Sequence, residues 1–276
     1  MIYRPWSALW WVMVVLAACG ASSLASTIIM LRSGSLIVGG TLVFAASVLC
    51  GAIILYCSRS VRLRREVIVV AAILGGTIAT WIAMHGNRAF IFLYYVIPEH
   101  AEDWQAAIAG PFTEEWAKTI VILLVVLLAG LRDLREGFVI GAFVGLGFQT
   151  AENIVYVAYG AIEDPNSDLE GALVIAGLRF FIAISSHWVF SAYAGVGVML
   201  LLAKQWNGAY LLLLSYLWHF LWNAPLEPSL GLWVIVAKMA IVVIAFCVFV
   251  RWVMGARGNE ELDPGLAGAP AVHSRT

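Results

Sequence analysis

An ionisable side chain at the centre of an apolar span costs roughly 2.5–3.5 kcal/mol even on insertion scales. The long hydrophobic runs of this chain nevertheless keep Glu114, Glu115, Lys118, Glu152, Arg179, His187, His219 and Lys238. Carboxylates together with imidazoles suit hydrolysis, because a glutamate can take a proton from water as a general base. A His2Glu set with an open fourth position is a catalytic zinc arrangement. Glu152, His187 and His219 would be the metal ligands, Glu115 or Glu114 would activate the water, and Asn223 could donate to the developing oxyanion. A metal-free version is equally open at this point: one glutamate activates water with help from Glu152 or a histidine, and His219 with Asn223 forms the oxyanion hole.

Each residue also has a bland reading. In Pro111-Phe-Thr-Glu-Glu-Trp-Ala-Lys118, Pro111 suits a first helical turn. Carboxylates there would complement the helix dipole, and Glu114 or Glu115 would pair with Lys118 at i,i+4 or i,i+3 spacing. Two adjacent glutamates exceed what capping needs, so one is expected to pair with Lys118 while the other faces a cavity. Glu152 alone could be a protonated, hydrogen-bonded acid, and a lone histidine on a span is usually a packing residue. Two histidines with three glutamates are harder to dismiss together. Arg179 and Lys238 read as structural charges.

These residues must be positioned by membrane-spanning helices. The chain is 62% hydrophobic and 12% charged, with mean hydropathy +0.92, whereas a soluble domain carries about a quarter charged residues. The expected fold is all-α, a polytopic membrane helix bundle of about eight transmembrane helices. A span needs about 20 apolar residues, and the runs lie at 6–30, 36–57, 67–84, 112–131, 138–159, 172–203, 209–223 and 232–253. The first reads as a retained span, being too long for a signal peptide. Short-loop cations (Arg59, Arg62, Arg64, Arg65, Arg132, Arg135, Lys204, Arg251 and Arg257, with Arg4 and Arg275) fall on one side, against Arg32 and Arg88 on the other. Both termini are then cytoplasmic.

With that topology Glu114, Glu115, Glu152, His187, His219 and Asn223 gather in the outer half of the membrane. Residues 1–254 form one integral membrane domain, and the Gly-, Ala- and Pro-rich tail 255–276 reads as disordered. Aromatic residues between 85 and 110 favour a short surface helix. Gly141, Gly145 and Gly147 form a small-residue packing face. Cys19, Cys50, Cys57 and Cys247 match no metal or redox spacing, and a net charge of −1 excludes a nucleic-acid partner.

Four motifs in order resemble the PrsW family of intramembrane proteases, which belongs with the CAAX-protease and bacteriocin-processing (CPBP) group. They are Glu114-Glu-x-x-Lys118, Phe148-x-x-x-Glu152-Asn153, His187 with Gly195, and His219-x-x-Trp222-Asn223, over residues 111 to 223. In the prenyl-protease branch a histidine stands where this chain has Glu152. The resemblance implies a membrane-embedded endopeptidase of the metalloprotease type with zinc as its cofactor. It also implies a multi-pass position in a prokaryotic cytoplasmic membrane and membrane-anchored substrates, including anti-sigma factors. Intramembrane Glu and His also mark ion paths, so a proton- or ion-coupled transporter is the competing class. Transporters usually show internal repeats and broken helices, and the sequence suggests neither. A catalytically silent scaffold on the same fold is the other alternative.

Overall fold

A computed structural model describes residues 4–31, 35–97, 99, 101–225 and 231–255. The tail from 256 onward, with Arg257 and Arg275, and also Arg32, lies outside the described residues. Without water a backbone must satisfy its own N–H and C=O groups, and the described residues are helical with short connections. In chain order they are α1 (Arg4–Leu31), α2 (Leu36–Cys57) and α3 (Arg65–Leu74), then a π turn (Gly75–Ala79) leading into α4 (Thr80–Ala89). A 3-10 turn (Phe90–Phe92) precedes α5 (Leu93–Val96), the short helix expected between 85 and 110, with Tyr95 and Val96 exposed. There follow α6 (Ala101–Ala129), α7 (Leu134–Glu163), α8 (Asp168–Ile182), a 3-10 turn (Ala183–Ser185), α9 (His187–Leu202), α10 (Gly208–Asn223) and α11 (Gly231–Gly255).

Six segments are long and apolar enough to cross a membrane: Leu9–Ser26, Leu36–Cys57, Arg65–Phe92, Leu134–Glu163, Asp168–Leu202 and Gly231–Gly255. The two remaining expected spans are α6 and α10, and each falls short for a definite reason. The apolar stretch of α6 carries Glu114, Glu115 and Lys118, and α10 has 16 residues, roughly 24 Å at 1.5 Å per residue. Among the described residues the bundle is apolar outward along its spans, with Ile37, Phe44, Ile244 and Val248 exposed, and keeps Glu114, Glu115 and Lys118 inside. That is the polarity expected of a multi-pass membrane protein.

The central helix is α7: 72% of an 18-residue apolar window in it is buried, against 11% for the corresponding window of α1 and 17% for that of α11. Asp133 caps it: its carboxylate accepts from Arg135 N at 2.9 Å, while Glu136 reaches back to Asp133 N at 3.1 Å. Glycines set how close the neighbours come. A Cβ on Gly141 would overlap the Ser191 carbonyl and stand 3.0 Å from Gly195 Cα, and one on Gly145 would stand 2.6 Å from the His187 carbonyl. These positions therefore seat α9 directly against α7. Gly147 does not share that face; it turns to α3 and lies against the Ala72 backbone.

Two local expectations are corrected. Pro111 is not in a first turn but inside α6, ten residues from its start. Glu114 and Glu115 therefore lie mid-helix, where the dipole argument does not apply. The run 172–203 is not one overlong helix. It breaks at Ala183–Ser186, with Ser186 at φ −118 and ψ −147, so the chain does contain a broken helix and that argument against a transporter lapses.

Candidate active site

The break creates the site. The carbonyl of Ala183 accepts from the Trp188 indole N–H at 2.8 Å, from Gln149 Nε2 at 3.3 Å and from the Cys50 thiol at 3.6 Å. Donors from α9, α7 and α2 thus satisfy a group that the interrupted helix leaves without its usual partner. His187 becomes the first residue of α9 and points inward, 4% exposed.

Around it converge the residues singled out from the sequence. Glu114, Glu115 and Lys118 come from α6, Glu152 from α7 and His219 from α10. All but Glu152 are buried, Lys118 completely. Glu115 is saturated. Its Oε1 takes Lys118 Nζ at 2.6 Å and His219 Nδ1 at 2.8 Å, and its Oε2 accepts from Ser215 Oγ at 2.7 Å. Glu152 accepts from His187 Nε2 at 2.9 Å and pairs with Arg179, whose Nε also donates to Asn153. Each imidazole therefore has one nitrogen held by a carboxylate, which directs the other nitrogen into the site.

Both of these other nitrogens face the same atom. Glu114 Oε2 lies 3.8 Å from His219 Nε2 and 3.9 Å from His187 Nδ1, and it is buried with no hydrogen-bond partner. Its other oxygen accepts from Asn87 Nδ2 on α4 at 3.1 Å, and Thr113 Oγ1 donates to Asn87 Oδ1, which fixes how that amide points. Of the two glutamates, Glu115 takes the lysine and Glu114 faces the cavity.

A cavity of about 230 Å³ opens onto these groups between α6, α7, α8 and α10, with Gln105, Arg179, Ser186 and Asn223 on its walls. Asn223 Nδ2 spends one proton on the Ala106 carbonyl at 3.0 Å.

Glu114, His187 and His219 offer one ligand atom each within 4.8 Å of one another. The two separations from Glu114 Oε2, 3.8 and 3.9 Å, are a few tenths of an ångström longer than the roughly 3.4 Å between ligand atoms of a tetrahedral zinc site. Orphaned Oε2, two imidazoles in fixed tautomers and carboxylates behind them fit a metal centre. One competitor is present: Lys118 Nζ stands 3.1 Å from His187 Nδ1 and shares that lone pair. In this trio Glu114 occupies the place the sequence reading gave to Glu152, which instead stands behind His187.

A family model described as PrsW family intramembrane metalloprotease matches residues 64–253, well over half of the chain. The chain belongs to the PrsW family. The match runs from the residue before α3 to near the end of α11 and takes in every residue of the cluster. PrsW membership supports an intramembrane protease acting on membrane-associated proteins. No curated protein and no solved structure matches the chain.

Sequence reasoning missed Asn87 and Ser215. Ser215 had a usable signal, since it lies four residues before His219 on the same helical face. Lys238 stays clear of the cluster: its ammonium donates to the carbonyls of Trp222 and Ala224, both at 2.9 Å, and so closes the C-terminal end of α10.

Proposed function

We propose that this PrsW protein hydrolyses peptide bonds of membrane-anchored proteins with water activated at Glu114 Oε2. The observation that carries this reading is the buried, unpartnered Oε2 facing two histidine nitrogens across 3.8 and 3.9 Å. Glu114 takes the proton from water as the water attacks the scissile carbonyl, and later delivers it to the leaving amine. Asn223, with one amide proton free, donates to the oxygen on which charge develops. Glu115 and Glu152 hold His219 and His187 in the tautomers that turn Nε2 and Nδ1 inward. Lys118 offsets the charge of Glu115.

Glu114, His187 and His219 are the residues that would hold a metal, with zinc suiting this donor set; Oε2 would then be a ligand in place of the base, since one oxygen cannot both ligate an ion and take the proton of water. When bound, zinc would supply Lewis-acid activation of the water and the carbonyl.

The topology belongs to the same proposal. Residues 1–254 form one membrane domain in which α6 and α10 also cross, giving eight crossings with both termini cytoplasmic. The cell membrane of a prokaryote is the setting, the site lies in the outer half, and anchored regulators of the anti-sigma type are the first substrates to test. A carrier would also use ionisable groups and a broken helix, but the family is a protease family.

The test compares membrane proteomes of cells holding the wild-type protein and Glu114→Gln, alongside zinc measured in both purified proteins. Cleavage products present only with the wild type, and zinc lost in the variant, are expected. Identical new termini in both cell lines would sink the hydrolase reading, and full activity of metal-free protein would remove the ligand assignment.

A further inference from the structure

A second cavity adjoins the first. The π turn is clamped to α7: Gly75 lies against the Val144 backbone, and a Cβ on Gly76 would stand 2.9 Å from the Gly147 carbonyl. Beyond this clamp α4 touches α7 little, and a wedge of about 360 Å³ opens between them. A π turn adds a residue to the helical repeat and so redirects the faces that follow it. Ala83 and Met84, with Thr80 and Arg88, line the α4 side, and Phe148, Val155, Tyr156 and Tyr159 the α7 side. Asn87, Glu114, Glu152 and Tyr156 line both this space and the first cavity, so the two spaces meet at the carboxylates.

We infer that this wedge is the subsite for a large aliphatic side chain, of the leucine, isoleucine or methionine class, on the substrate residue next to the scissile bond. The inference rests on the hydrolase reading. Its walls are mixed, with Ala83, Met84, Phe148 and Val155 apolar and Thr80 and Arg88 polar, whereas the part shared with the first cavity carries two carboxylates. A lipid chain pushed to the bottom would set its methyl group against Glu114 and Glu152. A peptide seated there presents a polar backbone to the carboxylates while its side chain fills the space between α4 and α7. The backbone beyond the scissile bond then continues into the polar cavity beside Gln105, Arg179 and Asn223. A peptide bond reached in this way must be out of helix, since a helical carbonyl is already hydrogen-bonded.

The experiment uses the full-length enzyme in proteoliposomes with a library of single-span reporter proteins. Their juxtamembrane residues are varied among Gly, Ala, Leu and Phe, and new termini are read by mass spectrometry. Met84→Trp narrows the wedge and Val155→Ala widens it, and neither residue belongs to the catalytic cluster. The wild type is expected to cut beside leucine. Met84→Trp should lower kcat/KM for leucine relative to alanine by about 10–200-fold, the scale on which apolar pockets discriminate. Val155→Ala should raise phenylalanine relative to leucine, and it keeps the test alive if the tryptophan variant fails to fold. Unchanged preferences in the folded variants, with wild-type cleavage intact, overturn the subsite and leave the hydrolase reading standing. Wild-type enzyme that cuts no reporter overturns both. Preferences that stay fixed while rates follow the acyl-chain length of the bilayer identify the occupant as lipid and also overturn the subsite.

Discussion

The same isosteric change at two adjacent residues should have very unequal effects on stability. In Glu115→Gln the fully buried Lys118 ammonium loses the carboxylate held at 2.6 Å. Removing one partner of a buried ion pair costs about 3–5 kcal/mol, because the other charge is left uncompensated. The lower end is expected, since the substituted amide can still accept a hydrogen bond and Lys118 keeps the Phe148 ring, 4.5 Å from its Nζ. In Glu114→Gln the amide nitrogen would replace an oxygen that has no partner, and the Asn87 bond to the other oxygen survives. That change should cost under about 1 kcal/mol, within the range of substitutions that break no buried network. It should still remove about 10²–10⁴-fold of the cleavage rate, the contribution of a positioned general base. Unfolding is followed in bicelles and cleavage in proteoliposomes. The double variant Glu115→Gln/Lys118→Met should regain most of the lost stability without regaining activity, so the two changes are non-additive. Glu114→Gln as unstable as Glu115→Gln, or Glu114→Gln with wild-type cleavage, would refute the division of roles.

Other perturbations test the supporting groups. Arg179→Met should lower zinc affinity or kcat by about 10–100-fold through Glu152 and His187, as losses behind a ligand do; Arg179→Lys should recover part of it, as judged by metal titration. Asn87→Ala should free the Glu114 carboxylate to rotate, lowering kcat with little change in KM in steady-state assays. Asp133→Ala removes the α7 cap and should cost about 1 kcal/mol in unfolding with cleavage by the folded fraction unchanged. Lys238→Met leaves two carbonyls at the end of α10 unpaired and should destabilise the fold while zinc binding per folded molecule holds.

The residues of the cluster were legible because an ionisable group is costly in hydrocarbon and so stands out. Glu114, Glu115, Lys118, Glu152, His187 and His219 all meet in the structure, and so does Arg179, which the sequence reads only as a structural charge. Asn87 and Ser215 were hidden for the complementary reason, since small neutral polar side chains cost little in a span. The pairings were illegible because they depend on helix rotation. Glu114 and Glu115 are about 100° apart around α6, and both have i,i+3 or i,i+4 spacing to Lys118. What selects Glu115 for the lysine is α10, which brings Ser215 and His219 to that side.

The helix break shows the same limit from the backbone. The segment Ile182-Ala-Ile-Ser-Ser-His187 contains no proline or glycine, so no local rule stops the helix there. The interruption is stabilised from outside, by Trp188, Gln149 and Cys50 donating to the Ala183 carbonyl. Pro111 is the converse case. A residue that locally predicts a helix start is carried inside α6, because the loss of one backbone N–H is tolerated where neighbouring helices pack. Local signals therefore misjudged both places where the backbone shapes the site. The break sets His187 at the head of α9. The continuity of α6 through Pro111 puts Glu114 well inside a long helix, where its Oε2 can be buried against two imidazoles instead of being solvated at a helix end.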